Sequence, residues 1–295
     1  MFMYDMIVIG AGPAGLTAAL YALRANKKVL VFEKNTYGGQ IINTGVIENY
    51  PGVKDITGFD FATNLYQQVT DLGGEVVSEE VIKIDKDKNV FTNKGEYKAK
   101  SIIIATGVKR RKLNLPNEDK LVGGGVSYCA ICDGGFYKNK VVAVNGGGNT
   151  AIEDALYLTN VASKVYLIHR RDEFRAEQKY VDELKAKDNV EFVLNSTITS
   201  INGDMKLESI DVDTNGKSRN IAIDGLFIAI GQEPSNEAFE GVIELENGYI
   251  KSEDGVHTNV EGIYVAGDTR VKELRQLTTA VGDGALAATK AMKEN

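Results

Sequence analysis

The sequence is poor in cysteine. It holds two, Cys129 and Cys132, three positions apart, whereas a fold stapled by disulfides needs more of them, widely spaced. Proline is scarce as well, with 4 residues against 31 glycines, so the glycines read as tight turns between regular elements and not as a flexible linker. There is no excess of basic charge: 34 Lys and Arg stand against 41 Asp and Glu, a formal net charge of −7. A chain of that sign repels a phosphate backbone, which argues against nucleic acid as a partner. No apolar run approaches the roughly 20 residues needed to span a bilayer. The first one, Met6 to Ile9, is too short for a secretory signal and lacks a basic start. The expectation is a cytoplasmic protein without membrane contact, a setting in which a lone C-x-x-C is more often catalytic or metal-binding than structural. The 295 residues suffice for one large domain or two of medium size. With 43% hydrophobic and 25% charged residues, disorder, collagen and coiled coil are excluded as whole-chain descriptions.

What is present begins with a strand, a turn, a helix and a strand. Met6 to Ile9 has the apolar character of a buried parallel strand, Gly10-Ala-Gly-Pro-Ala-Gly15 follows, Leu16 to Ala25 has helical composition, and Lys28 to Phe32 is a second apolar strand ending at Glu33. The unit recurs. Shifting the chain by 136 positions matches Val8, Gly10, Gly12, Ala19, Leu20, Tyr21, Lys28 and Val29 to identical residues, from Val144 to Val165, without a gap. A second echo joins Ile102–Gly107 to Leu226–Gly231, each an apolar strand running into a glycine turn. Such distances exceed solenoid periods and indicate a duplicated domain. The expected fold is α/β, with two doubly wound Rossmann-like nucleotide-binding domains. The segment after Gly231, with Tyr249-Ile250, Gly262 to Asp268 and a helical tail from Thr278 to Lys293, is too short for a third such domain. It is expected to complete the first, so that the second domain is inserted: 1–112, then 113–242, then 243–295, with crossings near 110–116 and 240–248. Pro116 and the basic run Lys109 to Lys112 suit a solvated crossover.

In Gly10-x-Gly12-x-x-Gly15 the first glycine makes the tight turn, the second lets backbone approach a pyrophosphate, and the third lets helix pack on strand. Glu33, 23 residues after Gly10, stands where a carboxylate accepts both ribose hydroxyls. In the second copy, Gly146-x-Gly148-x-x-Ala151, the same step leads to His169, followed by Arg170, Arg171 and Arg175. Guanidinium groups pair with phosphate where a carboxylate would repel it. The second site is therefore read as one for NADPH, and a solvated basic cluster is the plainer alternative. Two dinucleotide sites with different ribose preferences suggest a relay in which the first holds a flavin. Cys129-Ala-Ile-Cys132 is the candidate acceptor. It precedes what reads as the first strand of the second unit, Val141 to Val144. A C-x-x-C brings two sulfurs within bridging reach over one helical turn, and Asp133 stands ready to move protons. Zinc normally takes four ligands, and His169 and His257 are remote in sequence. No metal is expected, and inert buried thiols are the remaining alternative.

These motifs, with Gly38-Gly-Gln40, Glu48 to Gly52, Ala105-Thr-Gly107, Gly267-Asp268 and Arg275-Gln276, run the length of the chain. Together they resemble the low-molecular-weight, bacterial-type thioredoxin reductases. The resemblance implies a homodimer that binds FAD in a discontinuous first domain, takes electrons from NADPH, and reduces thioredoxin. It implies that Gln40 and Asn49 line the isoalloxazine pocket, that Arg275 and Gln276 approach the flavin, and that Asp268 lies on the ribityl or phosphate side. Pro13, Ala14, Lys34, Gly38, Gly39, Val81, Ala105, Thr106, Gly107 and Gly267 join the cofactor-binding set on the same ground, as do Asn149, Thr150 and Gly231. The family further implies that Cys132 faces the flavin, that Cys129 exchanges with the partner disulfide, that Asp133 is the general acid, and that the domains rotate about the crossings. Ile131, Gly135 and Asn145 depart from the usual pattern, and a polar residue at the buried end of a strand is unexpected. Competing readings are a ferredoxin-dependent flavin thioredoxin reductase, a reductase of a glutaredoxin-like or peroxidase-coupled disulfide, a ferredoxin–NADP reductase-like flavoprotein needing no dithiol, and a non-enzymatic redox sensor.

Overall fold

A computed structural model describes residues 3–44 and 46–294; Met1, Phe2, Gly45 and Asn295 lie outside the described residues. Its Cα framework divides into two compact units, residues 1–109 with 233–295, and residues 110–232. The first unit opens with strand β1 (Met3–Ile9), helix α1 (Pro13–Arg24) and strand β2 (Val29–Glu33). It continues with α2 (Gly58–Asp71), β3 (Glu75–Ser78), β4 (Val81–Ile84), β5 (Asn89–Thr92) and β6 (Glu96–Ile104). The second unit holds β7 (Val126–Ser127), the single-turn helix α3 (Ala130–Asp133), β8 (Val141–Asn145), α4 (Asn149–Thr159), β9 (Lys164–Ile168), α5 (Gln178–Lys185) and β10 (Val190–Val193). An antiparallel trio follows, β11 (Ser196–Asn202), β12 (Ser209–Thr214) and β13 (Lys217–Ala222), and then β14 (Gly225–Ile228). The chain returns to the first unit for β15 (Ile263–Val265) and α6 (Leu277–Glu294).

In the first unit the sheet runs β3-β2-β1-β6-β5-β4. Pairing is parallel from β3 to β6 and antiparallel beyond it. The outer edge of β6 is shared: its first half pairs with β5, while Ile102 to Ile104 pair in parallel with Ile263 to Val265 of the returning segment. The late piece of chain thus completes the first sheet. In the second unit the order is β7-β14-β8-β9-β10, all parallel. The central strands are apolar on both faces because both faces are covered; Ile7, Val8, Val142, Val144, Val165 and Leu167 are fully buried.

The duplication read from the sequence is repeated in the backbone. The N–H of Gly10 donates to Phe32 O and that of Gly146 to Ile168 O; the N–H of Ala105 donates to Ile9 O and that of Ala229 to Asn145 O. One expectation needs correction. Val141 to Asn145 is not the first strand of its unit, since β7 precedes the cysteines, so the C-x-x-C lies between two parallel strands of one sheet. The antiparallel trio over 196–222 was not foreseen at all. The division between the units falls at 109/110 and 232/233, beside the crossings expected near 110–116 and 240–248.

Candidate functional site

The first glycine loop is shaped by contacts that leave no room for side chains. Gly10 has φ +108°, and a Cβ there would lie 2.4 Å from Ala105 O; one on Gly15 would lie 1.9 Å from Gly10 O. This drives the start of α1 against the end of β1. Gly12 is the N-cap of α1 and Pro13 opens the helix, with no side chain satisfying the first-turn N–H groups. Those donors and the helix dipole form an anion site. Gly38 and Gly39 lie across it: the N–H of Gly38 donates to Ala11 O at 2.8 Å, and a Cβ on Gly39 would come 3.2 Å from the Gly12 Cα. Glu33 stands at the end of β2 with its carboxylate oriented by the N–H groups of Ala11 and Asn35, each at 2.9 Å. Lys34 pairs with Glu80 at 3.6 Å. Val81 packs against the cluster that includes Ile9 and Phe32.

The other predicted residues of this unit gather in two groups. Asn49 donates through Nδ2 to Gln276 Oε1 at 3.1 Å, and Gln40 through Nε2 to Val108 O at 3.2 Å. Arg275 lies over the ring of Tyr249 at 4.4 Å and donates to the carbonyls of Asp268 and Arg270. Thr106 Oγ1 is 2.8 Å from Thr269 Oγ1 and also bonds Asn236 Oδ1. Buried Asn236 accepts from both threonines and donates to Gly248 O and Thr269 O, which ties the Ala105–Gly107 turn to the Gly267–Asp268 turn. Asp283 on α6 accepts from the N–H of Gly267, from Arg270 and from Lys272. Burial pushes its carboxyl up, but the hydrogen bonds and charges of Arg270 and Lys272 outweigh that and hold it below the usual range. Asn236 and Asp283 were missed from sequence, because their partners lie 130 and 16 positions away and carry no motif.

The second loop repeats the geometry. A Cβ on Gly146 would lie 2.3 Å from Ala229 O, and one on Gly148, the uncapped N-cap of α4, would meet nothing within 4 Å. Asn149 and Thr150, its first residues, are exposed, and Asn149 Oδ1 accepts from the N–H of Glu177. His169 lies so close on Gly147 that a Cβ there would be 2.2 Å from the ring. The ring stacks on Phe174 and meets Glu173 O at 3.1 Å. Burial first, then the nearby charges of Arg170, Arg171 and Arg175, hold the imidazole below its ordinary value. The N–H of Arg175 donates to Gly147 O, which brings it to the loop. The three arginine side chains are exposed, and among the described residues none pairs with a carboxylate. Gly231 follows β14 with φ +110° beside Arg111. Asn145 now has an account: buried at the end of β8, it donates through Nδ2 to Ile168 O at 3.4 Å.

The cysteines form a disulfide with Cα atoms 5.3 Å apart. Cys129 caps α3: its Sγ accepts from the N–H of Cys132 at 3.2 Å, and its carbonyl from the N–H of Asp133 at 3.1 Å. Ala130 between them is fully buried, and Ile131 is 48% exposed. Asp133 Oδ2 accepts from the Ser127 hydroxyl at 2.6 Å. Among the described residues no cluster of His, Cys, Asp and Glu could hold a metal.

This constellation decides the family. The family described as pyridine nucleotide-disulphide oxidoreductase matches residues 4–284. The chain belongs to that family. A thioredoxin reductase of Listeria innocua is 44% identical over 99% of this chain and 93% of its own length. The crystal structure of a Streptococcus pyogenes thioredoxin reductase superposes with a TM-score of 0.95 at 41% identity, covering 99% and 98% of the two chains. A ferredoxin-flavin thioredoxin reductase from Clostridium acetobutylicum matches with a TM-score of 0.53 at 32% identity, over 99% and 97%. Within the family the chain is of the bacterial thioredoxin reductase type, and its cofactors are FAD and NADPH. The residues fit both. Both loops end at an uncapped helix N-terminus, Gly12 on α1 and Gly148 on α4, and a Cβ on Gly148 would meet nothing within 4 Å. Glu33 ends β2 with its carboxylate held at the first loop, and Arg170, Arg171 and Arg175 beside the second are exposed with no carboxylate partner among the described residues. No helix among the described residues is long and apolar enough to cross a membrane.

Proposed function

We propose that the protein is an NADPH-dependent thioredoxin-disulfide reductase. The observation that carries this reading is the Cys129–Cys132 disulfide, held in the same unit as a dinucleotide loop flanked by three unpaired arginines. FAD, when bound, supplies the means to accept hydride from NADPH and to pass two electrons to a disulfide. Gly10, Gly12, Gly15 and the first turn of α1 hold its pyrophosphate, Glu33 its ribose, and Asn49, Gln40, Arg275 and Gln276 the ring side. Gly146, Gly148, His169, Arg170, Arg171 and Arg175 hold NADPH.

The net reaction balances as NADPH + H⁺ + thioredoxin disulfide → NADP⁺ + thioredoxin dithiol. The Cys129 thiolate attacks the partner's disulfide, one sulfur–sulfur bond breaks as a mixed disulfide forms, and Cys132 then displaces the reduced partner. The N–H of Cys132 at 3.2 Å from Cys129 Sγ favours negative charge on that sulfur. Asp133 gives and takes the proton of the leaving thiolate. The working form is a cytoplasmic homodimer.

Anaerobic addition of NADPH to the flavoprotein tests this. The flavin band should bleach, NADH should do so poorly, and oxidised thioredoxin should restore the colour. Bleaching by reduced ferredoxin but not by NADPH overturns the electron source. Unchanged turnover of a Cys129→Ser variant overturns the disulfide route.

A further inference from the structure

We infer that Ser127 is a positioning residue for Asp133, coupling the acid to the backbone of the exchanging cysteine. The inference rests on the role given to Asp133 above. Ser127 is the last residue of β7, 3% exposed, pinned between the sheet and α3. Its hydroxyl accepts the N–H of Cys129 at 3.1 Å and donates to Asp133 Oδ2 at 2.6 Å. A hydroxyl has one proton. The alternative acceptor, Cys129 O, lies at 3.4 Å, so the shorter, charge-assisted bond to the carboxylate takes it. The N–H entering the hydroxyl polarises the bond leaving it. Asp133 is thereby aimed by a group that also grips Cys129, and a shift of the Cys129 backbone when the disulfide opens is transmitted to the acid.

Other groups face this turn without taking that place. From the turn after α3, Tyr137 has its hydroxyl pushed up to about 12 by burial and by the charges of Asp133 and Asp224. From α4, Asp154 meets the N–H of Ala130 and has Glu153 and Arg110 near it. The Tyr128 hydroxyl is committed to Glu118 at 2.7 Å.

The test uses the FAD-loaded enzyme, reduced with NADPH and then mixed with oxidised thioredoxin. A Ser127→Ala variant should slow exchange about tenfold, a part of the 10²–10⁴-fold that a placed acid supplies. NADPH should still bleach the flavin of this variant at the normal rate. Ser127→Thr, which keeps the hydroxyl, should restore the rate. Ser127→Ala should add nothing in an Asp133→Asn background. A normal exchange rate in Ser127→Ala, or losses that multiply in the double variant, overturns the inference while Asp133→Asn alone remains slow. An Asp133→Asn enzyme as fast as the parent overturns the role of the acid, and this inference with it.

Discussion

The sharpest quantitative consequence concerns Asp154. It lies in α4, 8% exposed, beneath the first residue of the cysteine helix. Burial pushes its carboxyl from 3.8 to about 7, Glu153 adds to the rise, and the N–H of Ala130 and the charge of Arg110 oppose it. The native state therefore keeps a proton that the unfolded chain gives up from about pH 4 upward. Stability should fall as pH rises through that window and level off above about 7. At about 1.36 kcal/mol per pH unit, the full window is worth roughly 4 kcal/mol and the interval from about pH 5.5 to 8 roughly 2 kcal/mol. Asp154→Asn keeps the shape and an oxygen for the Ala130 N–H but cannot ionise. Urea denaturation of the flavoprotein at the two pH values should show the variant gaining about 2 kcal/mol on the parent toward the alkaline side. Parallel curves, with a difference that does not change with pH, refute the argument.

Replacing Arg170 and Arg171 together by Ala should weaken NADPH about 10- to 100-fold, as loss of charge-assisted contacts to a phosphate implies, and leave NADH unchanged in steady-state kinetics. Gly10→Ala forces a Cβ into Ala105 O, so the purified variant should carry substoichiometric flavin by absorbance and lose about 1–3 kcal/mol of stability. His257, bonded to Glu294 first and to Asp254 second, is held above its ordinary value. Its contribution to anchoring the end of α6 is full below about pH 6.5 and fades as pH rises through the folded value. His257→Asn should flatten that dependence, read as the proteolytic susceptibility of the C-terminal turn.

The parts that could be read from the sequence are those whose chemistry is local. Gly10-x-Gly12-x-x-Gly15, its copy, and Cys129-x-x-Cys132 each need their residue types at fixed short spacings, so spacing alone exposes them. The Glu33-to-His169 exchange was visible because duplication aligns the two ribose positions. Ser127, Asn236, Asp283 and Asp154 act through contacts that only the tertiary fold creates, and a serine or asparagine in isolation looks like any polar surface residue. Of the antiparallel strands over 196–222, β13 carries no apolar alternation, since Lys217 to Asn220 are all exposed. The extra strand before the cysteines is two residues long, below what periodicity detects.

The inserted unit begins and ends beside itself: the N–H of Arg111 donates to Gly231 O at 3.1 Å. To its host, more than a hundred residues therefore have the closure geometry of a short hairpin loop, whatever folds beyond it. Excising that piece and joining the stumps with a tight turn should leave an uninterrupted flavin carrier. Grafting a foreign module between the same two strands offers a way to redirect its electrons.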